Sequence, residues 1–418
     1  MNGIALQCPC CGARQKMRAL VEDCSACGAN ANPRVTYEAP AAVRWHEVDG
    51  SGPGLWRYRR MLPTADGEIV TLNEGATPLL AAPRLGRALG VERLYIKDET
   101  RNPTWSYKDR LSTVAVSAAA RLGAKVLATS SSGNAGASLA AYAARAGLPC
   151  VVFTFAGTAG PMLAQIEKYG AKVVPLARKQ DRWPMLAEFV KRFGWFATSP
   201  YMAPVTGSHP LGIEGYKTLA YEICADLDGT CPDWVVMPVC YGDALAGTWY
   251  GFQELHAAGA IDRLPRMVAA EVFGSLGAAL ARNLDHVPDM AATFAPLAVS
   301  VGATQGSVQA LQVLRESRGV AVPVGNDGLI EAQETLARHE GLFGELTAVM
   351  PVVAIEHLVR DGTIGRDDCV VGVVTAAGLK DLDKSCGSPE AAAGVPGTFD
   401  DVSRFLSDTL GFIPARAG

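Results

Sequence analysis

The chain lacks any long uncharged apolar run of the kind that crosses a bilayer, and its N-terminus has no apolar signal core. Its longest uncharged stretches carry Ser, Asn, Gln and Gly, which lipid would leave unsatisfied. These absences exclude a membrane partner and point to the cytoplasm. A basic block is missing too. Lys+Arg 38 against Asp+Glu 42 gives a net charge of −4, which argues against nucleic acid as a partner. Charged residues are few, at 19% against 49% hydrophobic, which excludes a disordered or coiled-coil chain. At 418 residues there is room for two or three domains with sizeable cores.

Cysteine is thinly spread except at the start, where five of 11 fall before residue 28. In a cytoplasmic chain such a cluster points to metal rather than to disulfides. Cys8-Pro-Cys10-Cys11-Gly12 and Cys24-Ser-Ala-Cys27-Gly28 read as two knuckles whose glycines let backbone amides face thiolate sulfur. Cys8, Cys11, Cys24 and Cys27 suit a closed structural zinc site, which would staple a segment too short to fold alone. Cys10 is spare, or replaces Cys8 or Cys11 if the register shifts, and unliganded thiols are the alternative.

From Leu94 onward helical and strand-like segments alternate. Strands are expected at 94–97, 125–128, 149–154, 172–175, 234–239 and 370–375. Helices are expected at 111–122, 136–146, 163–169, 183–193 and 245–255. The continuous apolar runs at 234–239 and 370–375 are typical of buried parallel strands. The rhythm predicts an α/β fold with parallel sheets. Past Lys384 the composition turns to Gly, Pro, Ser and Ala, then offers one short amphipathic helix over 399–410.

Lys108 stands at the entry to the nearly uncharged helix over 111–122. Desolvation there lowers a lysine's pKa and favours the free amine that forms a Schiff base with an aldehyde. An ordinary lysine covering apolar surface with its stem is the competing reading. Three strand-to-helix junctions are candidate ligand cradles, because α/β sheets bind ligands at strand carboxyl ends. Thr129-Ser-Ser-Ser-Gly133-Asn134 exposes amides for a carboxylate or phosphate, or is a Ser-rich helix cap. Cys240-Tyr241-Gly242-Asp243-Ala244 carries one glycine and a weaker version of the same signal. Thr375 ends a buried strand with a hydroxyl that either meets a ring nitrogen or is satisfied in the core.

Taken in order, these segments resemble threonine synthase and its relatives, the fold type II pyridoxal 5′-phosphate enzymes. The similarity includes Trp56-Arg-Tyr58, Asn73-Glu-Gly-Ala-Thr-Pro78, Asn102-Pro-Thr, Ser106-Tyr-Lys108-Asp-Arg110 and Ser131-Ser-Gly-Asn134. It continues through Glu214-Gly-Tyr-Lys217-Thr218, Glu340-Gly-Leu-Phe343 and Gly378-Leu-Lys-Asp381. The resemblance implies two parallel-sheet α/β domains behind a zinc-ribbon-like segment. The ribbon would span 1–40, the larger domain 41–79 with 206–384, and the smaller domain, carrying Lys108, 80–205. Residues 385–418 would form a peripheral tail. It further implies that Lys108 carries the cofactor as a Schiff base and shuttles protons, and that Asn134 bonds the ring's phenolic oxygen. The amides of Cys240, Tyr241, Gly242, Asp243 and Ala244 would hold the phosphate, and Thr375 would face the pyridine nitrogen. Ser131, Ser132, Gly133 and Asn134 would wrap an amino-acid substrate's carboxylate. Relatives are often dimers, so a homodimer is expected.

Departures from the family pattern bear on the substrate. Trp105 and Leu111 replace glycines, Ala135 replaces a threonine, and Gly212 replaces an arginine of the substrate-phosphate clamp. His209 stands in that clamp, as an acid–base group, a substrate ligand or a helix-entry residue. Trp105, Cys240 and Tyr241 are further pocket candidates. Asp243 replaces a glycine, so its carboxylate must point away from the phosphate or be neutralised. The expectation is β- or γ-elimination or replacement on an amino acid other than O-phosphohomoserine. Alternatives are a genuine threonine synthase using Lys217, Arg178 or Lys179 for the phosphate, and a cofactor-binding homologue without activity.

Overall fold

The computed structural model describes residues 4–16, 24–27, 32–37, 52–64, 67–158, 160–203, 206–386 and 394–412. At the start, β1 (Ile4–Gln7), β2 (Arg14–Lys16) and β3 (Arg34–Tyr37) pair antiparallel in the order β2-β1-β3. Strands this short bury little by themselves. Leu6 and Val35 find their core outside the ribbon, against Ala118 and Leu211.

The strands that follow are β4 (Leu79–Ala81), β5 (Arg93–Asp98), β6 (Leu127–Thr129), β7 (Cys150–Phe155), β8 (Lys172–Leu176) and β9 (Phe196–Ala197). Then come β10 (Trp234–Pro238), β11 (Arg266–Glu271), β12 (Val320–Pro323) and β13 (Cys369–Val374). They form a six-stranded sheet, β12-β11-β10-β13-β5-β4, and a four-stranded sheet, β8-β7-β6-β9. All pairings are parallel except β4 with β5. Every residue of β10 and β13 is buried, as the uninterrupted apolar runs require of strands covered on both faces.

One boundary differs from expectation. Strands β4 and β5 lie in the six-stranded sheet, although residues from 80 onward were assigned to the smaller domain. β5 pairs in register with β13, more than 270 residues later in the chain, a partnership that local patterning does not encode. Residues 382–418 form a separate unit. Its expected amphipathic helix is present at Phe399–Arg404, but Phe399 is 86% exposed and no residue of that helix is buried.

The helix Lys108–Arg121 is central to the larger unit, with every residue from Asp109 to Ala119 buried. The helix Asn134–Ala146 lies against it, placing Ser138 Oγ 2.6 Å from Asp109 Oδ1 and 2.7 Å from Ser112 Oγ. Its first turn is fixed by buried charge. Arg110 donates to Glu99 at 2.7 Å and to Glu222 at 2.6–2.8 Å, and Lys97 Nζ lies 3.0 Å from Glu222. Thr77 Oγ1 donates to Glu99, and the Ala76 amide donates to Glu222. Many of the family-like motif residues thus meet in one structural network rather than in chemistry.

Removing one member leaves uncompensated buried charge. Arg110→Ala should lower unfolding free energy by about 3–5 kcal/mol, read by chemical denaturation. A loss under ~1 kcal/mol would show that the network does not hold the helix start.

Candidate active site

Lys108 opens its helix at the carboxyl edge of the larger sheet, where a loop is tied down on both sides. The Tyr107 amide donates to Thr375 O at 2.9 Å, the Ala377 amide donates to Trp105 O at 3.1 Å, and Ser106 bridges Ala376. Lys108 is therefore brought beside the end of β13. Its Nζ lies 4.7 Å from the centre of the Tyr107 ring and 5.7 Å from that of Tyr216. Burial pulls the ammonium down, as expected, but Tyr107, Tyr216 and Asp243 outweigh it and the net direction is up. This corrects the expected lowering. Burial also pushes both phenols above their ordinary range. Both rings present their faces to the Lys108 amine.

Asp109 anchors the same turn, accepting from Thr104 N at 2.7 Å, Thr104 Oγ1 at 2.6 Å and Ser138 Oγ. Burial pushes its carboxyl up to about 6. Trp105 has φ +63° and is 47% exposed, so it does not line a closed pocket. A left-handed backbone explains why glycine is the family's residue there.

The loop after β6 leads into the helix Asn134–Ala146. The Ser130 amide donates to Ser199 Oγ at 2.8 Å and the Gly133 amide to Ser131 Oγ at 3.3 Å. Ser131, Ser132 and Gly133 stay partly open while Asn134 is buried. Asn134 Nδ2 donates to both carboxylate oxygens of Glu345 at 3.0 Å. Among the described residues Thr129 Oγ1, Ser130 Oγ and Asn134 Oδ1 are buried without a hydrogen-bond partner. Orphaned polar atoms at a strand's carboxyl end are what a polar ligand would satisfy.

The loop after β10 carries Gly242 at φ +95°, where a Cβ would fall 2.3 Å from Ala310 Cβ. It opens the helix Asp243–Ala257, whose first amides have no intrahelical acceptor. The Asp243 carboxylate is engaged: Ser208 N, Ser208 Oγ and Gln309 Nε2 donate to it at 3.0, 2.7 and 2.9 Å. Cys240 and Tyr241 are partly exposed, and burial pushes the Cys240 thiol up to about 11. The Lys108 amine, the orphaned atoms after β6, the Gly242 cradle and buried Thr375 together fit the expected cofactor.

A small cleft adjoins the Asp243 loop through Ser208, and its polar lining includes Asn32, Ser199, Thr206, Ser208 and His209. No lysine or arginine lines it among the described residues. The His209 ring stacks on Phe196 at 4.3 Å, and its Nδ1 accepts the Leu211 amide as a helix cap. Gly212 faces the lysine helix: a Cβ there would lie 2.9 Å from Leu111 Cγ and 3.2 Å from Ala115 Cβ. The two departures at 111 and 212 are thus one packing change, with leucine filling the space that a side chain at 212 would need. Of the alternative cations, Lys217 is spent on Glu214 at 2.6 Å and Glu254 at 2.9 Å, and Arg178 on Asp181 at 2.7 Å. Lys179 is exposed, 6.0 Å from the Phe155 ring centre.

Away from this site, Cys8 Sγ lies 3.8 Å from Cys27 Sγ and Cys11 Sγ 3.7 Å from Cys24 Sγ. All four sulfurs fall within 4.8 Å of one another, so the cluster could hold a metal ion. Thiolates at about 2.3 Å from a tetrahedral ion have sulfurs about 3.8 Å apart. Hydrogen bonds from the amides of Cys27 and Ala26 hold the Cys24 thiol down, to about 6. Cys10 is exposed and outside the set.

Two residues beside the site, Glu345 and Arg182, escaped the sequence reading, and Lys380 entered it only as part of the Gly378-Leu-Lys-Asp381 motif. Arg182 lies 5.6 Å from the Phe155 ring centre, and Trp183 packs 5.6 Å from Tyr241. Lys380 is 2% exposed, and its Nζ has no hydrogen-bond partner among the described residues. Nothing in the local sequence distinguishes Glu345 or Arg182; long-range contacts do.

Residues 70–376 match the model of the pyridoxal-phosphate dependent enzyme family. The chain is 35% identical over 360 residues to the threonine synthase of Methanocaldococcus jannaschii, covering 85% of this chain and 87% of that one. It is 33% identical to the threonine synthase of Methanosarcina acetivorans, covering 90% and 92%. Among solved structures, the fold is similar to maize serine racemase, with a TM-score of 0.63 and 16% identity over 73% of this chain and 89% of that one. It is equally similar to an L-serine ammonia-lyase from Rhizomucor miehei, with a TM-score of 0.63 and 20% identity over 76% and 98%.

Burial lowers the Lys380 ammonium from 10.5 to about 8, against the opposing pull of Glu345 and Asp109. Between those values the unfolded chain binds more protons than the folded one, so stability rises with pH from about 8 to 10.5. Lys380→Met should stabilise the apoprotein by about 1–3 kcal/mol at pH 7 and flatten that rise. Thermal unfolding across the window checks this; a variant less stable at pH 7 contradicts it.

Proposed function

This chain belongs to the pyridoxal-phosphate-dependent enzymes and, among them, to the threonine synthase family; we propose that its substrate is an amino acid whose leaving group is not a phosphate ester. The reaction is β- or γ-elimination or replacement. When bound, the cofactor supplies an aldehyde that captures amines and a ring that draws electrons from Cα. Lys108 Nζ would anchor it, be displaced by the substrate's amine, and as the freed amine take the Cα proton. Amides of Cys240–Ala244 hold the phosphate at the helix start. The Thr375 hydroxyl would face the ring nitrogen, and Asn134 would donate to the phenolic oxygen by releasing its Nδ2 from Glu345. Ser131, Ser132, Gly133 and Asn134 hold the substrate carboxylate, with Ser130 behind them. His209 and the neutral groups of the adjoining cleft receive the distal part of the substrate. The four cysteines hold zinc as a structural staple.

The observation that carries this reading is the contact of Leu111 with Gly212. The arginine of the phosphate clamp is absent there, and a Cβ at 212 would lie 2.9 Å from Leu111 Cγ, so a side chain could enter only if Leu111 moved. A charge-assisted contact is worth about 1.5–3 kcal/mol, or roughly ten- to a hundredfold in binding. A second reading, a genuine threonine synthase, rests on Lys179 and Arg182 beside Phe155, which have no carboxylate within ion-pair distance among the described residues.

Incubation with O-phosphohomoserine, followed by phosphate release, separates the two. The wild type should be at least about tenfold slower in kcat/KM than Leu111→Gly/Gly212→Arg, which reopens the clamp. Efficient turnover by the wild type, lost in Lys179→Ala/Arg182→Ala, would replace the first reading by the second.

A further inference from the structure

Among the described residues, Asn32 links the cysteine ribbon to the Asp243 loop through Ser208. Asn32 stands between Cys27 and β3, is 7% exposed, and lines the cleft described above. Its Nδ2 donates to Ser208 O at 2.9 Å. Ser208 in turn gives its amide and its hydroxyl to Asp243, at 3.0 and 2.7 Å. Asp243 follows Gly242 directly and opens the helix whose first amides face the cradle. The junction is tight. Gly207 has φ +130°, and a Cβ there would lie 2.5 Å from Gln309 Nε2, 2.6 Å from Asn32 Nδ2 and 2.7 Å from Asp243 Oδ1. Polar side chains from three separate elements converge on one glycine.

The ribbon is also seated firmly on the catalytic unit. Leu6 and Val35 pack against Ala118 of the lysine helix, and the Arg34 guanidinium lies 4.2 Å from the Tyr250 ring centre, on the helix that Asp243 opens. Strands of three or four residues hold such a position only if something fixes the segment between them, and four thiolates around one ion do that.

We propose that Asn32 is a positioning residue for the cofactor phosphate, and that metal at the four cysteines sets it in place. Through Ser208 it keeps the Asp243 carboxylate facing away from the amides of 240–244. Without it, that carboxylate is freer to turn toward the phosphate and weaken its binding. This rests on the reading that residues 240–244 hold the phosphate. A buried neutral hydrogen bond shifts an equilibrium by about two- to tenfold.

The test titrates full-length, zinc-loaded apoprotein with pyridoxal phosphate and, separately, with pyridoxal, following absorbance. Asn32→Ala should keep its metal and its thermal stability within a few degrees, yet bind pyridoxal phosphate about three- to tenfold more weakly, with pyridoxal unchanged. Chelating the metal from the wild type should weaken pyridoxal phosphate by a similar factor, and from Asn32→Ala by little more. Where chelation unfolds the chain, the Asn32→Ala titration decides alone. Equal pyridoxal phosphate binding by the variant and the wild type, equal weakening of both aldehydes, or additive effects of variant and chelator each overturn the proposal. A wild type that takes up no pyridoxal phosphate overturns the cofactor-loop reading, and this proposal with it.

Discussion

A guanidinium buried between two carboxylates governs this architecture. Arg110 sits two residues beyond Lys108, and its bonds to Glu99 and Glu222 fix the angle at which the helix leaves the sheet. Glu99 follows β5 directly, and Glu222 comes from the helix Lys217–Asp226. The network therefore joins the larger sheet to the helix that presents Lys108. Desolvating so many charges repays itself only when every partner is present, which makes the arrangement brittle and specific. The chemistry inherits that rigidity: Lys108 projects from a first turn that has almost no freedom to move.

A second layer of polar contacts aims the loops around that lysine. Ser199 holds the loop after β6, Glu345 holds Asn134, and Ser208 with Gln309 holds Asp243. Each comes from a different element, so the site is shaped by the fold as a whole and not by the loops themselves. The same logic extends to the ribbon, where Lys217 and Tyr37 share Glu214 and tie β3 to the catalytic unit.

Much of this was legible in the chain. Unbroken apolar runs identified β10 and β13, and small-residue junctions marked the loops beside Lys108, because burial and helix starts leave local signatures. Long-range partnerships left none. β5 could not be assigned to its sheet, since its partner β13 lies at the far end of the chain. The Lys108 shift was read with the wrong sign because Tyr216 and Asp243 are remote in sequence. Leu111 and Gly212 looked like two independent departures until packing joined them. For Asp243 the expectation was that its carboxylate point away from a phosphate or be neutralised, and it accepts three hydrogen bonds from Ser208 and Gln309.

The central claim is that the amine of Lys108, and no other lysine, bonds covalently to the cofactor carbonyl. Borohydride reduction of the pyridoxal-phosphate-loaded enzyme, followed by peptide mapping, tests it most directly. The account predicts stoichiometric reduced label on the peptide containing Lys108. Label on Lys380, elsewhere, or on no peptide would contradict it.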